Sequence, residues 1–183
     1  MKTKLTSFFV LVMLMMYTYT SAAVITHDIS MGSLTIPSTS TDEYVITGST
    51  TSNYVVVPFG WKGTITLRNC YFDFTGTDSH SPIRITGKNN LSNLDPSRTN
   101  VNIILDGDNY IYNEGGGRAC IQVDQGAQIN ISAVEPCDNT SGTLTAIQAN
   151  RVGGAAIGSL HHYQNTNETT SYAMISDGYC HQL

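Results

Sequence analysis

A chain of 183 residues with 13 % charged residues and a formal net charge of −5 is sized for one domain with a sizeable core. It carries no basic cluster that could neutralise phosphates, which excludes a nucleic-acid partner. Its 16 glycines, together with many Thr, Ser and Asn residues, suit β structure broken by frequent turns.

Residues 1–22 have the form of a secretory signal peptide. Lys2 and Lys4 precede the apolar run FFVLVMLMM at 8–16, and Thr20-Ser21-Ala22 offers small residues for cleavage. The run is shorter than the roughly 20 residues of a membrane span. The expected product has no stable membrane span and is secreted or held at the cell surface. Residues 23–183 then form one all-β domain: 23–54 an N-terminal cap and first strands, 55–158 regular coils, 159–183 an irregular last coil. Cys70, Cys120, Cys137 and Cys180 are an even set in an exported chain and imply two disulfides, with three pairings open. None has the close C-x-x-C spacing of a zinc site.

The central part repeats. Residues 64–87, TITLRNCYFDFTGTDSHSPIRITG, lie over 102–125, NIILDGDNYIYNEGGGRACIQVDQ, at a constant offset of 38. Ile65 falls on Ile103, Leu67 on Leu105, Ile83 on Ile121 and Ile85 on Val123. GAQINIS at 126–132 echoes GTLTAIQ at 142–148, and ACI at 119–121 echoes AAI at 155–157. An inserted loop, GKNNLSNLDPSRTN, occupies 87–100. Period-two pairs such as Ile83/Ile85, Ile121/Val123 and Ile129/Ile131 mark strands with one inward face. Glycines at Gly115-Gly116-Gly117, Gly126 and Gly153-Gly154 stand where corners are expected. Short strands recurring between such corners predict a β-solenoid, in which inward residues of successive coils form ladders. An antiparallel β-sandwich is the alternative.

The phrases LDGDNYIYN, ACIQVDQGAQINIS, SGTLTAIQ and GGAAIG resemble successive turns of bacterial surface β-helix domains of the carbohydrate-binding or adhesin-like type. The resemblance covers about residues 55–158. It implies a right-handed, single-stranded parallel β-helix acting as a non-catalytic module for a polysaccharide or other glycan.

Candidate site residues follow from the alternation. With Leu105 and Ile111 inward, Tyr110 and Tyr112 point outward together as a platform for sugar rings, Asn109 supplies hydrogen bonds, and Trp61 either seals the core or lines a binding edge. Asp106 and Asp108 flank Gly107 and could hold Ca²⁺ through hard oxygens, although a turn-forming Asp-Gly accounts for Asp106 equally well. No other cofactor is implied. The 38-residue register sets Asp106 against Arg68 and Asp108 against Cys70, so no ladder of acids builds up among Asp73, Asp78, Asp124 and Glu135. No catalytic residues are assigned, and a calcium-dependent polysaccharide lyase is the enzyme alternative. His161-His162 would point to opposite faces of a strand. A structural alternative is self-association through the solenoid ends, whose backbone groups are unpaired.

Overall fold

The computed structural model describes residues 22–76, 80–88, 95–115, 117–134, 142–149 and 155–158, with the backbone of 171–175. Residues 1–21, which hold the expected signal sequence, and Cys137, Cys180, His161 and His162 lie outside the described residues. The strands are β1 (Val24–Asp28), β2 (Leu34–Thr35), β3 (Glu43–Thr50), β4 (Val55–Val57), β5 (Lys62–Phe74), β6 (Ile83–Ile85) and β7 (Asn100–Asn113). They continue with β8 (Ile121–Val123), β9 (Gln128–Ala133), β10 (Gly142–Gln148), β11 (Ile157–Gly158) and β12 (Ser171–Ile175). One 3₁₀ turn, Ile29–Met31, follows β1.

The chain alternates between two sheets. A seven-stranded sheet takes the order β1-β3-β5-β7-β10-β12, with β9 also on β7; a five-stranded sheet takes the order β11-β8-β6-β4-β2. Each passage lays one long strand in the first sheet and one short strand in the second. Every described pairing is parallel except β10 with β12. This overturns the antiparallel sandwich, because neighbouring strands belong to successive coils and not to hairpins.

The apolar residues stack rung upon rung. In the large sheet Tyr44, Ile65, Ile103 and Ile131 are in register, as are Ile46, Leu67, Leu105 and Ala133. In the small sheet Leu34, Val55, Ile83, Ile121 and Ile157 form one ladder. Ile46, Val55, Leu67, Leu105 and Ile121 are all at most 1 % exposed. Each such side chain contributes about 1.5–3 kcal/mol of burial. The offset of 38 from sequence holds for Ile65/Ile103, Leu67/Leu105 and Ile83/Ile121.

The offset fails within the long strands, at a corner that grows from coil to coil. Thr47 and Ser49 pair with Arg68 and Tyr71, so β3 leaves one residue between where β5 leaves two. Arg68 and Tyr71 pair with Asp106 and Tyr110, so β7 leaves three. Beyond the corner the offset is 39. In the next passage β9 and β10 pair with the two halves of β7, residues 100–105 and 107–113, and the chain between them is longer still. The echo between 126–132 and 142–148 therefore does not record strands stacked on each other. ACI and AAI do stack, through Ile121 and Ile157.

Each corner uses one left-handed residue: Gly48 at φ 87°, Asn69 at 50° and Gly107 at 69°. A Cβ on Gly107 would lie 2.2 Å from Asn69 Oδ1, and that oxygen accepts the Asp108 N–H at 3.1 Å. Asn tolerates this backbone because its short side chain bonds locally. Gly126, at φ 81°, turns the chain from β8 into β9 as expected, with its Cα close to the carbonyl of Lys88.

Two of the candidate ligand-binding side chains face inward, Trp61 taking the sealing alternative. Trp61 is 1 % exposed; it meets Tyr44 edge-on at 6.1 Å and donates from Nε1 to the Ser40 carbonyl at 2.9 Å. It seals the core and lines no binding edge. Asn109 is 2 % exposed. Its Oδ1 accepts the Cys70 N–H at 3.0 Å, and its Nδ2 donates to the carbonyls of Gly107 and Thr143 at 3.1 and 3.2 Å. It clips three coils together at the corner and is not available to a ligand.

Cys70 and Cys120 are buried free thiols, so of the two expected disulfides at most one, between Cys137 and Cys180 outside the described residues, is left. The Cys70 thiol donates to the Ile46 carbonyl at 3.0 Å and the Cys120 thiol to the Ile111 carbonyl at 3.5 Å. Burial pushes both pKa values up to about 12, which suppresses the thiolate and its reactivity. Among the described residues no helix is long and apolar enough to cross a membrane.

Candidate functional site

The outward face of the large sheet beyond the corner carries the aromatic rungs. Tyr71 in β5 pairs with Tyr110 in β7, and their rings stack at 4.9 Å with planes 13° apart. Rings stacked along the direction of coil addition cover each other's faces. Tyr110 and Tyr112 flank the buried Ile111 and are both partly exposed, on the expected face; Tyr110 also joins Tyr71 in a column. Tyr112 is half-buried and donates its hydroxyl to Glu114 Oε1 at 3.0 Å. Its burial, and then that carboxylate, raise the phenol's pKa above its ordinary value.

The column leaves one face open. Tyr110 covers one side of the Tyr71 ring, and the other side is turned to the preceding coil, where Ser49 is in register. Ser49 is too small to cover an aromatic ring. A groove of about 420 Å³ results, lined by Tyr71, Asp73, Ser30, Ser49, Thr50, Thr51, Ser52 and Asn53. Tyr71 is 45 % exposed. Behind it Thr50 Oγ1 accepts the N–H groups of Ser52 and Asn53 at 3.2 and 2.8 Å, and Asn53 Nδ2 donates to the Ile29 carbonyl at 2.9 Å. These bonds hold the groove's far wall in one shape before any ligand arrives.

Such a groove offers one aromatic face, one carboxylate and a set of hydroxyl and amide groups. This is the chemistry that suits a hydroxylated ring with one apolar face. Tyr71 was not singled out from the sequence. The constant offset of 38 sets Tyr110 over Phe72, and only a count of the corner residues brings it over Tyr71.

The acidic pair does not come together as a cation site. Asp106 is ion-paired with Arg68 across coils, and Asp108 Oδ1 accepts the Thr143 hydroxyl at 2.9 Å. A calcium ion takes six to eight oxygens. Among the described residues no three His, Cys, Asp or Glu side chains converge. Arg68 already balances one of the two carboxylates, so these residues do not fit Ca²⁺. The register of Asp106 on Arg68 agrees with the sequence, whereas the corner moves Asp108 off Cys70 and puts Asn109 in its place.

Comparison with protein-family models, with curated proteins and with solved structures returns no match.

Proposed function

We propose that this chain is an exported, non-catalytic module that binds a glycan, with Tyr71 as the stacking surface, and that its coils wind as a right-handed parallel β-helix. The observation that carries the reading is the Tyr71 ring, packed on one face by Tyr110 at 4.9 Å and open on the other to a preformed polar groove. A rigid sheet supplies both walls, so little ordering cost falls on binding. The winding rests on the alternation of strands between two parallel sheets and on the strong right-handed preference of parallel crossovers. The bacterial surface β-helix domains that the repeat phrases resemble point the same way.

Glycan-array binding of the signal-free protein, alongside Tyr71→Ala, tests this. Retained folding with loss of glycan binding in Tyr71→Ala is expected. Absence of any glycan ligand, or undiminished binding in the variant, defeats the reading.

A second reading, self-association, is favoured by the first coil. Strand β1 pairs only with β3 among the described residues, and Val24, Ile25 and Met31 are 63, 39 and 83 % exposed. An apolar edge strand of this kind can add another chain. A monomer by light scattering at millimolar concentration removes it.

A further inference from the structure

The small sheet's outer face holds a second groove, of different chemistry. Val56, Arg84 and Gln122 form one outward ladder on β4, β6 and β8. The groove over it measures about 320 Å³ and is lined by Tyr54, Val56, His80, Ser81, Arg84 and Arg118. Tyr54 and His80 stack face to face at 4.6 Å with planes 2° apart.

Its floor is unusual for an outward position. Alternation with Ile121 and Val123 predicts an exposed Gln122, yet Gln122 is 0 % exposed. Every polar atom of its amide that could bond is used or directed within the floor. Oε1 accepts from Ser81 Oγ at 2.9 Å and from Arg118 at 3.5 Å, and Nε2 donates to Asp124 Oδ1 at 2.6 Å. The second Asp124 oxygen takes Nε and Nη2 of Arg84 at 3.1 and 2.8 Å. Asn113, itself 0 % exposed, donates to the carbonyls of Arg118 and Ala119 and fixes the corner from which Arg118 projects.

Charge counting then separates the two arginines. Arg84 is matched by Asp124. Among the described residues Arg118 has no carboxylate within ion-pair distance, and its side-chain hydrogen bond to Gln122 is long, at 3.5 Å. Among the described residues one planar guanidinium thus lines the groove without an acidic partner, beside two aromatic rings. A guanidinium fork matches the two oxygens of a carboxylate, and one spare positive charge balances one negative charge. We propose that this groove is a second binding site, in which Arg118 receives the carboxylate of an acidic sugar whose ring lies beside the stacked Tyr54–His80 pair. Arg84, Gln122 and Ser81 are positioning residues that hold the floor. The site does not rest on the Tyr71 reading and lies on the other sheet.

The test uses the signal-free chain carrying Tyr71→Ala, so that the first groove does not contribute. Isothermal titration calorimetry compares a hexuronic acid trisaccharide, its fully methyl-esterified form and inorganic phosphate. The acid is expected to bind at one site, with the ester weaker by about tenfold or more. That comparison needs no substitution in this groove. Arg118→Gln should lose about tenfold for the acid, and Arg118→Lys, which keeps the charge without the fork, should fall between the two. No binding of the acid, equal binding of the ester, or an unchanged affinity in folded Arg118→Gln each overturns the proposal. Phosphate binding as tight as the acid would mark a general oxyanion site and overturn the assignment to a sugar. Failure of Tyr71→Ala to change binding of other glycans would bear only on the first groove.

Discussion

The two halves of the long strands obey different rules. Before the corner, Leu67 and Leu105 stack at an offset of 38, and aliphatic rungs repeat from coil to coil. After it, Phe72, Ile111 and Ala146 form one ladder in which the side chain shrinks from coil to coil, while Phe74 gives way to Asn113 and then Gln148. The corner between them lengthens from one residue to two to three. A slip of one residue would turn every side chain to the wrong face. The extra residue at Gly107-Asp108-Asn109 is absorbed as a bulge, and Asn109 takes the inward place of Cys70. The inward ladder is thus set by burial, whereas the meeting of outward side chains is set by corner length.

The sharpest way to break the comparison is to remove an aliphatic rung on one side and a polar clip on the other. Leu105→Ala opens a cavity among fully buried neighbours and should cost about 2–5 kcal/mol in urea unfolding. Asn109→Ala leaves the Cys70 N–H and the Thr143 carbonyl short of a partner at the corner, and should cost about 1–3 kcal/mol. A loss from Asn109→Ala above that from Leu105→Ala would mean that the corner, and not the aliphatic ladder, dominates stability.

Legibility of the sequence follows the same division. Ile65/Ile103, Leu67/Leu105 and Ile83/Ile121 could be paired by eye because apolar burial repeats the same residue types at a fixed spacing. The parallel sheets follow from those pairs. Asn109 shares the inward parity of Leu105 and Ile111, so alternation alone assigns it to the core, where it lies; only its place beside Tyr110 suggested a ligand contact, and Trp61 carries no periodicity that separates a seal from a rim. Tyr71 was hidden by the added residue at the corner. Arg118 and Gln122 were hidden for another reason: an outward Gln becomes buried only when neighbours from other coils close over it, which no local pattern encodes.

The buried thiols refine the comparison, since Cys70 lies at the corner and Cys120 just before β8. Their pKa values are raised from 9.0 to about 12 by burial. A group whose folded pKa exceeds its unfolded value stabilises fully below the unfolded value, and that contribution is lost as pH rises through the interval up to the folded one. Stability should therefore fall between pH 9 and 12, by on the order of 1 kcal/mol per thiol for the first pH unit. The urea midpoint of a Cys70→Ala/Cys120→Ala chain should decline less steeply than that of the parent over pH 8.5–10.5. Equal slopes would show that tyrosine ionisation, and not the thiols, governs the alkaline limb.

The smallest expected effect lies on the outward column. Tyr71 and Tyr110 stack at 4.9 Å, and such pairs contribute about 0.5–1.5 kcal/mol beyond their burial. A double-mutant cycle with Tyr71→Ala and Tyr110→Ala should return a coupling in that range. The two single variants should then part company in binding. Tyr71→Ala removes the face that lines the groove, whereas Tyr110→Ala removes only the ring behind it, so glycan affinity should fall more in the first at similar stability. Equal losses would mean that Tyr71 needs its partner to hold the ring in place, and the column rather than the single face would be the binding unit.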